Sequence, residues 1–159
     1  MIGAVVALAC LLPPAEGTVV DSFREPPCAY CPGNRGIEYE LPAGSTVVAS
    51  APGVVSFAGT VAGVSYVVID HGDGWRTTYG KLADVRVRGG QRLRQGQELG
   101  RSSDQLFFGL RSGERYVDPG RLLGVVRHRP RLVPLDGTSR RPTLARLRCP
   151  AGGAGPPGR

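Results

Sequence analysis

Apolar and acidic residues alternate over residues 37–41, Ile-Glu-Tyr-Glu-Leu, which predicts a half-buried β-strand. Residues 45–49 and 53–61 are rich in β-branched side chains and are separated by Pro52-Gly53, so two further strands are expected there. The apolar run over residues 64–70 is followed by His71-Gly72-Asp73-Gly74 and a second run over 75–82. That order predicts a hairpin whose turn is built from Gly and Asp. Over residues 85–100, Val and Leu alternate with Arg and Gln, with Gly at the corners, and residues 106–111 read as another short strand. Asp118-Pro119 places an N-cap residue before a proline at the first helical position, which predicts one helical turn reaching Leu123. No stretch shows the 3.6-residue period of an amphipathic helix of ordinary length. Short strands separated by Gly turns imply an all-β sandwich or barrel.

Composition adds the ends of the chain. The 159 residues suffice for one domain with a core plus tails, and 24 Gly and 14 Pro punctuate it. Residues 125–159 are basic and broken by Pro and Gly, and residues 151–159 are expected to be disordered. The formal net charge is +7, and Lys81 is the single lysine among 20 basic residues. Such a balance suits an anionic partner: wall polymer, membrane surface or nucleic acid. Arg129, Arg131, Arg140 and Arg141 are the tail positions that would supply a salt-sensitive contribution.

Residues 1–17 read as a signal peptide, with an apolar run too short to span a bilayer and a cleavage expected between Ala15 and Gly17. Ala7-Leu8-Ala9-Cys10 is a weak match to a lipidation site and carries the possibility of membrane proximity. Residues 18–32 form a Pro-rich approach segment. A chain cut there keeps Cys28, Cys31 and Cys149, an odd number that leaves one thiol over or paired between chains. A single Cys-x-x-Cys in a Pro-rich turn lacks the second pair of a zinc ribbon and the strand-to-helix setting of a redox site. A structural disulfide is the expected use, with its partner left open by the sequence.

Several short stretches then follow in order. They are Gly33-Asn34-Arg35-Gly36-Ile37-Glu38, the Ala-Gly-Ser-Thr-Val-Val-Ala run from Ala43, Gly53-Val-Val-Ser-Phe-Ala-Gly59 and Val67-Val-Ile-Asp-His-Gly-Asp-Gly74. Thr77-Thr-Tyr-Gly-Lys-Leu82, two Gly-Gln corners, Leu106-Phe-Phe-Gly-Leu-Arg111 and Val117-Asp-Pro119 complete the series. The series resembles the lysostaphin-like (LytM-type) zinc metallopeptidase domain of bacterial cell walls over roughly residues 33–124. The resemblance implies a compact antiparallel β-sandwich or barrel-like domain, the duplicated hybrid motif, with a groove across one sheet. In active members the groove holds zinc and cleaves peptidoglycan peptides. Zinc needs three protein ligands and an open position for water, and two further histidines serve as base and transition-state stabiliser.

Carried over by position, this chain replaces all five. The ligand positions fall on Asn34, Glu38 and Phe107, the Tyr-x-His-Leu histidine on Lys81, and the base on Gln105. An amide is a weak zinc donor, a phenyl ring has no lone pair, and glutamine cannot take a proton. His71 falls on a position outside the metal site and is expected to be structural. His128 lies past the domain. The resemblance therefore implies a degenerate copy with no catalytic residue, no metal and no cofactor. The expected role is an exported domain that binds peptidoglycan or regulates a wall amidase or other hydrolase, with Tyr79, Phe107 and Arg111 as groove contacts. The alternative is an active zinc endopeptidase with atypical ligands. A nucleic-acid binder acting through the Arg-rich tail is disfavoured by the signal-like start and the lack of a recognisable aromatic–basic sheet. A biotinyl- or lipoyl-carrier barrel lacks its lysine hairpin. Glu38 and Lys81, both longer than the side chains they replace, are expected to meet in the vacated space, with Asn34 or Gln105 adding hydrogen bonds.

Overall fold

A computed structural model describes residues 8, 10–28, 30–127 and 146–150. Among them the chain forms β1 (Thr18–Asp21), β2 (Gly36–Glu40), β3 (Thr46–Val48), β4 (Gly53–Val61), β5 (Val64–Gly72) and β6 (Trp75–Val85). These are followed by β7 (Arg92–Leu93), β8 (Glu98–Ser112), β9 (Arg115–Val117), β10 (Val125–Arg127) and β11 (Arg146–Arg148). Nine of these make one antiparallel sheet in the order β1-β2-β8-β6-β5-β4-β7, with β3 and β9 also pairing β8. Pro119–Arg121 form a single 3-10 turn, and the Asp118 carboxylate accepts from the Gly120 amide as the expected N-cap. No helix among the described residues is long and apolar enough to cross a membrane.

Period-2 patterning puts the core on one face of the sheet. Ile37 and Tyr39 of β2, Val67 and Ile69 of β5, Thr77 and Tyr79 of β6, and Leu106, Phe108 and Leu110 of β8 are buried. Their neighbours Glu38, Tyr66, Thr78 and Phe107 are only half-buried and share the opposite face. Strand β8 is far longer than the run 106–111 suggests. Its first half reads Arg101-Ser-Ser-Asp, which resembles a loop, yet it is held by pairing to β3 on one side and β6 on the other.

Cys28, Cys31 and Cys149 form disulfides as expected, and Cys10 joins them from within the segment read as a signal peptide. Cys28 bonds to Cys31, and Cys149 bonds to Cys10, so no described cysteine is left over. Residues 10–17 run through the fold. Leu11 is fully buried, its amide donates to the Leu122 carbonyl at 2.7 Å, and its carbonyl accepts from the Gly124 amide at 2.8 Å. Leu12 donates to the Ser50 carbonyl, and Val48 donates to the Pro14 carbonyl, each at 2.8 Å. The approach segment supplies β1, which pairs β2. In the basic tail, β10 pairs β11. His128, Arg129, Arg131, Arg140, Arg141 and residues 151–159 lie outside the described residues.

Candidate functional site

The residues carried over from the resemblance lie on or beside the open face where β2, β8 and β6 run together. Phe107 stands opposite Glu38 on one side and Gly80 on the other. Strict alternation would turn Lys81 toward the core, because its neighbour Gly80 faces out. A bulge prevents this. The pairing register shifts between Gly80 and Leu82, and Lys81 adopts a left-handed φ of 62°. A non-glycine residue in that region costs about 1–2 kcal/mol. The bulge keeps Lys81 on the open face while Leu82 returns to the core.

There the Lys81 ammonium donates to Glu38 Oε2 at 2.7 Å and to Gln105 Oε1 at 2.9 Å. The side chains are 33% and 28% exposed for Lys81 and Glu38, so the pair is shielded without being sealed from water. Asn34 does not join them. Its buried amide accepts from the Gly36 amide at 3.2 Å and donates to the Ser22 carbonyl at 3.2 Å, which fixes the entry to β2.

These donors do not fit a zinc ion. The one carboxylate is bound to an ammonium, the nearest amides serve other partners, and Phe107 offers no lone pair. Among the described residues no three of His, Cys, Asp and Glu gather as a ligand cluster.

Tyr79 is not a groove contact. It is fully buried in the core, against Phe108 at 5.3 Å between ring centroids, and its hydroxyl accepts from the Ser50 amide at 2.8 Å. Its side of β6 is fixed by pairing, so alternation sends Thr78 outward instead. His71 is buried beneath β4 and β6. Nδ1 lies 2.7 Å from the Pro52 carbonyl and Nε2 lies 2.8 Å from Thr77 Oγ1. Burial lowers its pKa, opposed by the Pro52 carbonyl and by Asp70.

Arg111 faces the open side. It donates to Glu114 Oε2 at 2.8 Å and lies over the Tyr116 ring at 5.2 Å, with Arg35 on the same ring at 5.5 Å. Tyr116, Tyr66 and Phe57 were not singled out by sequence reasoning. Phe57-Ala-Gly59 and Phe107-Phe-Gly109 do carry a local signal, an aromatic and a glycine two apart on one strand face. Tyr66 meets Gly80 only across strands, which no local pattern reveals.

The profile of Peptidase family M23 matches residues 32–119. The cell division protein DipM of Caulobacter vibrioides is 32% identical over 89 residues, covering 55% of this chain and 14% of DipM. The murein hydrolase activator NlpD of Escherichia coli is 31% identical over 118 residues, covering 69% of this chain and 30% of NlpD. The chain thus spans less than a third of either relative. The solved structure of Helicobacter pylori Csd3 superposes with a TM-score of 0.66 at 23% identity, covering 72% of this chain and 34% of Csd3. That likeness establishes the fold alone.

Proposed function

The chain belongs to Peptidase family M23, and we propose that it is a non-catalytic member, exported to the cell envelope, that binds peptidoglycan or regulates a wall hydrolase. The observation that carries this reading is the Lys81 ammonium held 2.7 Å from Glu38. On this reading Asn34, Glu38, Lys81, Gln105 and Phe107 stand at the family's metal and catalytic positions. A fixed cation there opposes metal entry, and the one carboxylate among them, Glu38, is already engaged by that cation. A relative named as a murein hydrolase activator supports a regulatory role on the wall. The two disulfides support an oxidising compartment outside the cytoplasm.

Two assays on the purified full chain test this. With zinc supplied in the medium, the protein is expected to carry far less than one zinc per chain and to release no muropeptides. It is expected to sediment with purified sacculi or to raise the activity of a wall amidase. Stoichiometric zinc together with muropeptide release would overturn the reading in favour of an active endopeptidase.

A further inference from the structure

The open face of the sheet carries aromatic rings laid down on a floor of glycines. A Cβ placed on Gly36 would fall 2.7 Å from Phe107 Cε2 and Cζ, and one on Gly109 would fall 3.1 Å from Phe107 Cε1. Gly36 and Gly109 face each other across β2 and β8, so the Phe107 ring rests on that pair. A Cβ on Gly80 would fall 2.6 Å from Tyr66 Cε1, and one on Gly59 would fall 3.3 Å from Phe57 Cζ. Each ring therefore fills the space where a side chain would stand. One side of it is backed by the sheet and it remains partly open to solvent. Phe57 is 40% exposed, and Tyr66 and Phe107 are half-buried.

The rings form a row across the sheet: Phe57 lies over Gly59 of β4, Tyr66 over Gly80 of β6, and Phe107 over Gly36 of β2 and Gly109 of β8. Strands are spaced by about 4.8 Å, so rings two strands apart stand roughly 10 Å apart, about the length of a disaccharide. Three ion pairs stand around the row. Lys81 pairs Glu38, Arg76 lies 3.4 Å from Asp70, and Arg111 lies 2.8 Å from Glu114. Thr78 and Gln105 add uncharged donors and acceptors.

We propose that this face binds the glycan strands of peptidoglycan by stacking sugar rings on Phe57, Tyr66 and Phe107. The proposal rests on the wall-binding reading above and names the ligand class. A pyranose presents one C–H face to an aromatic ring and directs its hydroxyls and acetamides sideways, toward Thr78, Gln105 and the ion pairs. Single-stranded nucleic acid also stacks on such rings, but it needs a groove of net positive charge to follow its phosphates. The paired carboxylates of this face disfavour a polyanion. An extended peptide gains its main-chain hydrogen bonds at a sheet edge, and Tyr66 and Phe107 stand on strands paired on both sides.

The full chain is titrated by NMR with a hexamer of β-1,4-linked N-acetylglucosamine, a synthetic stem pentapeptide and a single-stranded oligonucleotide. Sedimentation with sacculi runs alongside. The hexasaccharide is expected to bind and to shift the ring resonances of Phe57, Tyr66 and Phe107. Tyr66→Ala and Phe107→Ala are expected to weaken it by roughly tenfold each, the size of one lost stacking contact, while Tyr66→Trp retains it. The wild-type ring shifts keep the test decisive even if an alanine variant fails to fold. Binding to sacculi without binding to the hexasaccharide overturns the glycan proposal and leaves the wall-binding reading standing. Preference for the oligonucleotide or the pentapeptide overturns it too. Failure to bind sacculi or any of the three overturns both.

Discussion

At the scale of single residues, Lys81 and His71 show how buried polarity is managed on the two faces of the sheet. The Lys81–Glu38 pair is about a third exposed, so its attraction is partly screened and its worth is about 1 kcal/mol. A double-mutant cycle of Lys81→Met and Glu38→Gln, followed by urea unfolding, is expected to give a coupling energy of that order that shrinks with added salt. A coupling indistinguishable from zero would show that the contact contributes no stability. His71 lies on the core side. With the imidazole neutral, Nδ1–H donates to the Pro52 carbonyl, and Nε2 lies 2.8 Å from Thr77 Oγ1. Thr77 in turn lies 3.2 Å from the Tyr79 hydroxyl, which takes the Ser50 amide. Burial holds the folded pKa below its ordinary value of 6.5. The unfolded chain therefore binds a proton more readily, and stability present above about pH 6.5 is lost as pH falls toward the folded pKa. Unfolding curves at stepped pH are expected to show this decline in the wild type and a shallower one in His71→Gln. Equal slopes would remove His71 as the cause.

At the scale of elements, what the sequence discloses depends on whether a feature is local. The strands over residues 53–61, 64–72 and 75–85 announce themselves through β-branched runs and the Asp-Gly turn, because hairpin pairing is decided by near neighbours. The turn between β4 and β5 is less legible. Ala62 and Gly63 both take positive φ there, at 49° and 81°, and alanine is a weak signal for that geometry. Residues 85–100 hide a repeat. In Arg88–Gln91 and again in Arg94–Gln97 the glutamine amide donates to the arginine carbonyl, while its side chain accepts from the arginine amide. Gly90 and Gly96 supply the positive φ of these two turns. The face of Lys81 is set by a bulge, and the burial of Tyr79 by partners far along the chain, so no spacing rule separates one from the other. Arg101-Ser-Ser-Asp becomes strand because β3 and β6 flank it, a tertiary effect that outweighs local propensity.

At the scale of the whole molecule, the chain is closed by its own ends. Residues 10–17 lie against β3 and the segment 122–124, and Cys10 is bonded to Cys149 across 139 residues of sequence. Closing so long a loop restricts the unfolded chain strongly, by about 4–5 kcal/mol in a chain-entropy treatment. Leu11 adds a fully buried side chain, whose loss costs about 2–5 kcal/mol. A cut between Ala15 and Gly17, the position suggested by the signal-like start, would remove both contributions at once. It would also leave Cys149 without its partner and open the carbonyls of Ser50 and Leu122 to other donors. Any processing of the N-terminus is therefore expected to leave Cys10 in the chain. Intact mass measurement of protein recovered from the envelope checks this directly. In vitro, a form lacking residues 1–17 is expected to unfold at lower urea than one lacking residues 1–7. The reductant sensitivity of the longer form should disappear in a Cys10→Ala, Cys149→Ala double variant. If the two truncations unfold alike, the N-terminal segment is a passenger on the sheet and the cleavage site between Ala15 and Gly17 stands.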